Sequence, residues 1–215
     1  MSQLSGATVA ILGLVMGLFT GHPAQADVAD GIRAYATGDY ETALRALEKS
    51  AKAGDPQGLY NLGVLHAEGK AAPRDMAKAV ALFRDGARKG SVLAAFSLAQ
   101  ALRKGDGVPV DFKEAARWYA FAAKRGDFRA GNELGLLYVE GKGVRPDPVE
   151  GFAWIYPATH ADIMDEAAYA NAAQLARMLT QAQVREAQAR GRTYYERYIK
   201  PHPTVVHTLL DQKSR

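Results

Sequence analysis

The chain has 215 residues and no cysteine, which excludes disulfides and thiolate metal sites. Its apolar fraction of 48% is ordinary for a globular protein, so we do not expect a disordered chain. The net charge of +4 is mild, and Lys and Arg are scattered among Asp and Glu, whereas nucleic-acid-binding proteins usually concentrate them in a patch. We therefore expect a folded protein that does not bind nucleic acid.

The first 26 residues have the pattern of a secretory signal. An uncharged apolar run from Ala7 to Phe19 is too short to cross a bilayer of about 30 Å as a helix. It is followed by Ala24-Gln25-Ala26, an A-x-A cleavage pattern, although no Lys or Arg precedes the run. We expect cleavage between Ala26 and Asp27, and export to the periplasm or secretion. The mature chain would then have no membrane span and, without cysteine, no lipoprotein anchor. The alternative is a disordered or membrane-associated tail.

The middle of the chain repeats with a period of 36 residues. The clearest recurring positions are Gly54, Gly90 and Gly126; Leu62, Leu98 and Leu134; Gly69, Gly105 and Gly141; and Asp75, Asp111 and Asp147. Inside a unit the apolar spacing is helical, as for Leu134, Leu137 and Tyr138 at i, i+3 and i+4. Each unit is therefore predicted to be two helices joined by a glycine-containing loop, with a glycine ending the second helix.

This pattern resembles the Sel1-like repeat, a relative of the tetratricopeptide repeat. The best copy carries Ala130, Leu134, Gly135, Tyr138, Gly141, Gly143, Val144, Asp147, Gly151 and Trp154. The resemblance implies an all-α fold, a right-handed α-solenoid of about four helix-turn-helix repeats. They would occupy residues 27–162, at about 28–54, 58–90, 94–126 and 130–162.

Residues 163–199 are predicted to close the array with a pair of capping helices. A solenoid must cover its last apolar face, and Thr180 with Gln183 reads as a capping box that opens a final helix. Tyr194, Tyr195 and Tyr198 are expected to pack in this cap. Pro157 should kink the second helix of the fourth repeat or end it early. The tail, residues 200–215, is expected to be extended or mobile.

No sequence pattern marks a catalytic, cofactor-binding or metal-binding site. Gly141-Lys142-Gly143 looks like part of a phosphate loop, but residue 143 is not Ser or Thr and no strand precedes it. The same letters fit a hinge, in which Gly141 ends one helix and Asp147 and Pro148 start the next. His66 falls on an apolar repeat position and is expected to pack, and His202 and His207 match no familiar ligand spacing. We expect a protein that is not an enzyme.

The resemblance also implies an inner wall lined by the first helix of each repeat. The positions expected to face this groove are Gln57, Tyr60, Val64, Phe96, Gln100, Arg103, Arg129, Asn132 and Leu136. Tyr60 and Phe96 occupy equivalent positions among polar neighbours, which suits a groove that holds a peptide or a partner helix. In the alternative reading, both rings fill the core between helices.

Three functions follow from these features. The favoured one is a non-catalytic adaptor, scaffold or regulator that binds another protein or peptide in the periplasm or cell envelope. A second is an enzyme of the β-lactamase or penicillin-binding type described for cysteine-rich relatives, but those relatives carry paired cysteines that this chain lacks. A third is a membrane-surface protein, retained by its N-terminus and by the basic residues of its last helix (Arg185, Arg190, Arg192 and Arg197).

Overall fold

The computed structural model describes residues 23–159 and 165–203, and within them every regular element is helical. The α-helices are α1 (Pro23–Ala36), α2 (Tyr40–Lys52), α3 (Pro56–Glu68), α4 (Met76–Arg88), α5 (Val92–Lys104), α6 (Phe112–Ala123), α7 (Phe128–Glu140), α8 (Pro148–Ile155), α9 (Glu166–Met178) and α10 (Gln181–Tyr194). A 3₁₀ turn, Tyr156–Thr159, follows α8, and a π-helical turn, Tyr195–Ile199, extends α10. Most of the predicted signal (1–22), His160, His207 and most of the tail (204–215) lie outside the described residues.

The helix ends repeat the same polar devices along the chain. The second helix of each pair is capped by an aspartate that accepts a hydrogen bond from a main-chain N–H three residues later: Asp39, Asp75, Asp111 and Asp147. The first helices are capped by Asp55, Ser91 and Asp127, again 36 residues apart. Because an uncapped helix leaves main-chain donors unpaired, these residues set where each helix begins.

Glycines in the left-handed region end the first helices. Gly69, Gly105 and Gly141 have φ angles of 69°, 76° and 65°, which an L side chain rarely adopts. The hinge interpretation of residues 141–148 is confirmed, since Gly141 ends α7, Asp147 caps α8 and Pro148 occupies its first turn.

The chain divides into two compact units. The described part of the first unit comprises residues 23–101 and 105–109, and that of the second comprises 102–104, 110–159 and 165–203. In the first unit, α1 packs on α2 and α3 packs on α4. Its core contains Tyr35, Leu47, Leu65, Phe83 and Leu98, each at most 4% exposed. Burial of these side chains, at about 25 cal/mol per Å² of apolar surface, is the main driving force for pairing the helices.

In the second unit, α7 and α8 approach so closely that only glycines fit between them. A Cβ on Gly135 would lie 2.5 Å from the carbonyl oxygen of Gly151, and one on Gly151 would lie 2.8 Å from the carbonyl oxygen of Gly135. Gly135 and Gly151 therefore mark a place where two helix backbones touch.

The last helix packs on α8 through a stack of aromatic rings. The ring centroids of Trp154 and Tyr194 are 4.4 Å apart, and those of Trp154 and Tyr198 are 5.9 Å apart. The capping box at Thr180 is present, and α8 ends at Ile155, two residues before Pro157. Three predictions are thereby confirmed: the packing of these two tyrosines, the capping box and the early end of α8. None of the helices in the described part is both long and apolar enough to cross a membrane.

Candidate functional site

In the first unit, the predicted groove residues fall into a buried and a half-buried set. Tyr60 and Val64 are each 6% exposed, and the Tyr60 ring lies 6.0 Å from the ring of Phe83. Gln57, Phe96 and Gln100 are only partly buried. Although Tyr60 and Phe96 are equivalent in the repeat, Tyr60 is buried and Phe96 is partly exposed. Tyr60 and Val64 therefore belong to the core.

In the second unit, two predicted groove residues are held in ion pairs. The Arg103 Nε lies 3.4 Å from the Glu133 carboxylate, and the Arg129 Nη2 lies 3.0 Å from the Asp127 carboxylate. Asp127 is completely buried and also accepts hydrogen bonds from the main-chain N–H groups that begin α7. Its charge is thus balanced both by Arg129 and by the positive end of the helix dipole.

The pair formed by Arg103 and Glu133 also involves the buried Tyr119. Burial on its own would lower the pKa of Arg103, but Glu133, Tyr119 and Glu140 together outweigh it and the pKa is raised. Burial raises the pKa of Tyr119 as well, with a further contribution from the Glu133 charge. Arg103 and Tyr119 therefore keep their protons at neutral pH, and Arg103 remains a fixed cation at this surface.

Asn132 forms an amide pair with a residue that the sequence did not point to. The Nδ2 group of Asn171, on α9, donates to the Oδ1 atom of Asn132, on α7, at 3.0 Å. Asn132 is 8% exposed and Asn171 is partly buried, while Leu136, one turn further along α7, is also partly buried. The repeat pattern did not indicate Asn171, because it lies 39 residues after Asn132, outside the 36-residue period.

A second polar cluster holds α1 against α3. The Tyr35 hydroxyl hydrogen-bonds to Glu68, and the Lys70 Nζ donates to the same hydroxyl at 2.6 Å. The Lys70 Nζ also lies 4.6 Å from the centroid of the Tyr35 ring, within cation–π range. Burial and the bond to Glu68 raise the pKa of Tyr35 to about 12. The cluster therefore links α1 to the end of α3.

The groups suspected of chemistry occupy structural positions. His66 is 5% exposed, as the packing prediction expects, and the Lys142 Nζ of the glycine-rich loop lies 2.9 Å from a carboxylate oxygen of Glu140. The described residues contain no group of three or more His, Asp or Glu side chains placed to hold a metal ion.

Comparison with known proteins identifies the repeats. The model of the Sel1 repeat matches residues 56–91, 92–127 and 130–161. No curated protein sequence matches the chain at a significant level. The family model does not match residues 28–54, so the assignment of that segment as a repeat, the first in the chain, stays a prediction. In the structure, α1 and α2 form a helix pair there.

The similar solved structures include two that match most of this chain. One is a protective antigen present in uropathogenic Escherichia coli strains, described as displaying an SLR fold, with 33% identity and a TM-score of 0.69. That match covers 75% of this chain and 34% of the antigen, so the chain spans about a third of the antigen's length. The other is a Sel1 repeat protein from Oxalobacter formigenes, with 24% identity and a TM-score of 0.64. That match covers 84% of this chain and 77% of the Oxalobacter protein. At that identity the likeness shows the fold alone.

The helix pairs, the recurring caps and glycines, and both comparisons lead to one conclusion. The predicted all-α repeat fold is confirmed, and the chain carries three Sel1 repeats within residues 56–161.

Proposed function

We propose that the protein is a non-catalytic interaction module that serves as an adaptor, scaffold or regulator in the bacterial periplasm or cell envelope. Sel1-repeat proteins are generally modules for protein–protein binding and are typically not catalytic. Within each compact unit, the binding surface would be formed by the side chains of the first helices that remain at the surface.

The observation that carries this proposal is the kind of side chain left at that surface. On α5, Phe96 is partly exposed one turn before Gln100. In the second unit, Arg103, Arg129 and Leu136 are likewise partly exposed. Aromatic residues and arginine are enriched in protein interfaces and supply most of their hot spots.

The periplasmic or secreted location rests on the N-terminal sequence. The apolar run followed by Ala24-Gln25-Ala26 supports removal of residues 1–26, which leaves Asp27 first. In the structure, Asp27 lies in the first helix and its carboxylate is 2.9 Å from the Lys49 Nζ. Mass determination of the protein from a cell-envelope fraction tests the proposal: a soluble form beginning at Asp27 supports it, and an uncleaved membrane-bound form contradicts it.

The membrane-surface alternative has weaker support. Arg190, one of the four basic residues of the last helix, lies 3.1 Å from Glu150 and also pairs with Glu186. Its charge is thus compensated inside the protein, so it contributes little attraction to anionic lipid.

A crosslinked pull-down of the protein from its own cells tests the interaction function. We expect a specific, stoichiometric protein partner. Its capture should be lost when Phe96 and Gln100 are both changed to alanine, since both residues lie partly at the surface. Arg117→Ala on α6, which removes an exposed side chain from a second helix, is the matched control. Equal capture by the double variant, or no protein partner at all, would contradict the proposal.

A further inference from the structure

The amide pair between α7 and α9 is left with unused hydrogen-bonding groups. The bond from Asn171 Nδ2 to Asn132 Oδ1 is the only side-chain hydrogen bond of either residue in the described part of the chain. Neither the Asn132 Nδ2 nor the Asn171 Oδ1 is among the fully buried, unbonded polar atoms of that part. A largely buried side chain, Asn132, therefore presents a donor group toward solvent beside the acceptor of Asn171.

The chemistry of the pair does not depend on which asparagine donates. Each amide has one NH₂ group and one carbonyl, so a single bond between two amides always leaves one of each. If both amides rotated by 180°, the bond would run from Asn132 to Asn171 and again leave an NH₂ group and a carbonyl. A donor and an acceptor side by side match the carbonyl and N–H of a peptide main chain.

The surroundings favour a neutral, partly apolar ligand over a charged one. Arg129, one turn before Asn132 on α7, is engaged by the buried Asp127 carboxylate, so its charge is already compensated. On the other side, Leu136 lies four residues after Asn132, and Met178, which is 66% exposed, lies seven residues after Asn171. By helical periodicity, both apolar side chains lie on the same faces as the asparagines.

We propose that Asn132 and Asn171 form a clamp for the main chain of an extended peptide, with apolar side chains of the peptide resting on Leu136 and Met178. This proposal rests on the proposed function and deepens it by naming the kind of partner. Partial burial makes the clamp effective, because a polar group that has already lost most of its water gains more from a new hydrogen bond.

The test begins with a displayed library of linear peptides selected against the protein made from its full-length sequence. A selected peptide is then titrated against the parent protein and against Asn171→Ala. We expect Asn171→Ala to weaken binding about tenfold, the loss of one or two hydrogen bonds in a partly dry site. Gln174→Ala, which removes an exposed amide from the same helix, is the matched control and should change binding less than twofold.

Methylation of the peptide's main-chain nitrogens separates a clamp from a merely structural role. One N-methylated position should weaken binding to the parent about tenfold and have no further effect on Asn171→Ala. Circular dichroism confirms that each variant is folded; if Asn171→Ala were not, Asn171→Ser would replace it in both titrations, with the same losses expected.

Unchanged binding by the folded variant would overturn the clamp, and so would selection of no peptide, or binding only of single-stranded nucleic acid or glycan. If instead the selected peptides lose binding with the Phe96 and Gln100 alanine variant but not with Asn171→Ala, the clamp fails and the interaction function stands.

Discussion

Placing a methyl group between α7 and α8 should destabilise the protein although it makes α7 a better helix. A Cβ at Gly135 would lie 2.5 Å from the Gly151 carbonyl oxygen and 2.6 Å from Cγ1 of the buried Ile155. The first of these is a main-chain atom of a packed helix, which cannot rotate away as a side chain can. The helices would have to move apart, so the contact between them would be weakened along its length.

The two opposing terms can be estimated. Replacing glycine by alanine inside a helix gains about 1 kcal/mol. Overpacking a core costs about 1–3 kcal/mol, and the upper part of that range applies where the obstacle is main chain. We expect Gly135→Ala to lose about 1–2 kcal/mol of stability, and Gly135→Leu to lose about 3 kcal/mol or more. At about 2–4 °C per kcal/mol for a chain of this size, the melting temperature of the alanine variant should fall by several degrees.

Thermal unfolding followed by circular dichroism measures this effect. The matched control is Gly86→Ala, which has the same helix-propensity gain on α4 but a nearest contact of 3.0 Å, to the Cβ of Ala94. We expect the control to stay within about 1 kcal/mol of the parent because the two terms nearly cancel there. A melting temperature for Gly135→Ala equal to or above that of the parent would refute the account of helix packing.

Three further predictions follow from buried polar groups. Burial lowers the pKa of His66, so the unfolded chain takes up a proton below about pH 6.5 before the folded chain does. Acidification should therefore destabilise the parent more than it destabilises His66→Phe. Urea unfolding at pH 7.5 and 5.5 measures this difference. Asn61 is fully buried, and neither of its amide atoms has a hydrogen-bond partner in the described part of the chain. Asn61→Leu should therefore be neutral or stabilising by about 1 kcal/mol. A clear loss of stability in urea unfolding would show that the amide is satisfied. Tyr194 stacks on Trp154, and its hydroxyl donates to Glu150 at 2.7 Å. Tyr194→Phe, which loses only the hydrogen bond, should cost about 1–2 kcal/mol, and Tyr194→Ala, which also loses the ring, about 3 kcal/mol. Equal melting temperatures for the two variants would show that the ring stack contributes nothing.

The helix boundaries were predictable because they depend on local chemistry. A cap such as Asp147 acts through the backbone of its own helix, and a glycine such as Gly141 is needed for a φ angle at its own position. Such requirements are written in the sequence at the position where they act, so a 36-residue period reveals them.

The surface was less predictable because burial depends on neighbours distant in the chain. Tyr60 and Phe96 are equivalent by period, but the Tyr60 ring packs near Phe83 in the core while Phe96 stays partly exposed. Asn171 belongs to the closing helices, where the period has ended, so no register connected it to Asn132. Contacts of this kind arise from tertiary packing and become visible only in the folded chain.

Photo-crosslinking at single positions tests the central claim most directly, that a Sel1-repeat protein of this sequence binds a protein partner through its first helices. A photoreactive residue would replace Gln100 on α5, and in a second protein it would replace Ala81, an exposed residue of α4, a second helix. In cells, the account predicts a discrete protein adduct from position 100 and none from position 81. Adducts from position 81 alone, or from neither position, would contradict it.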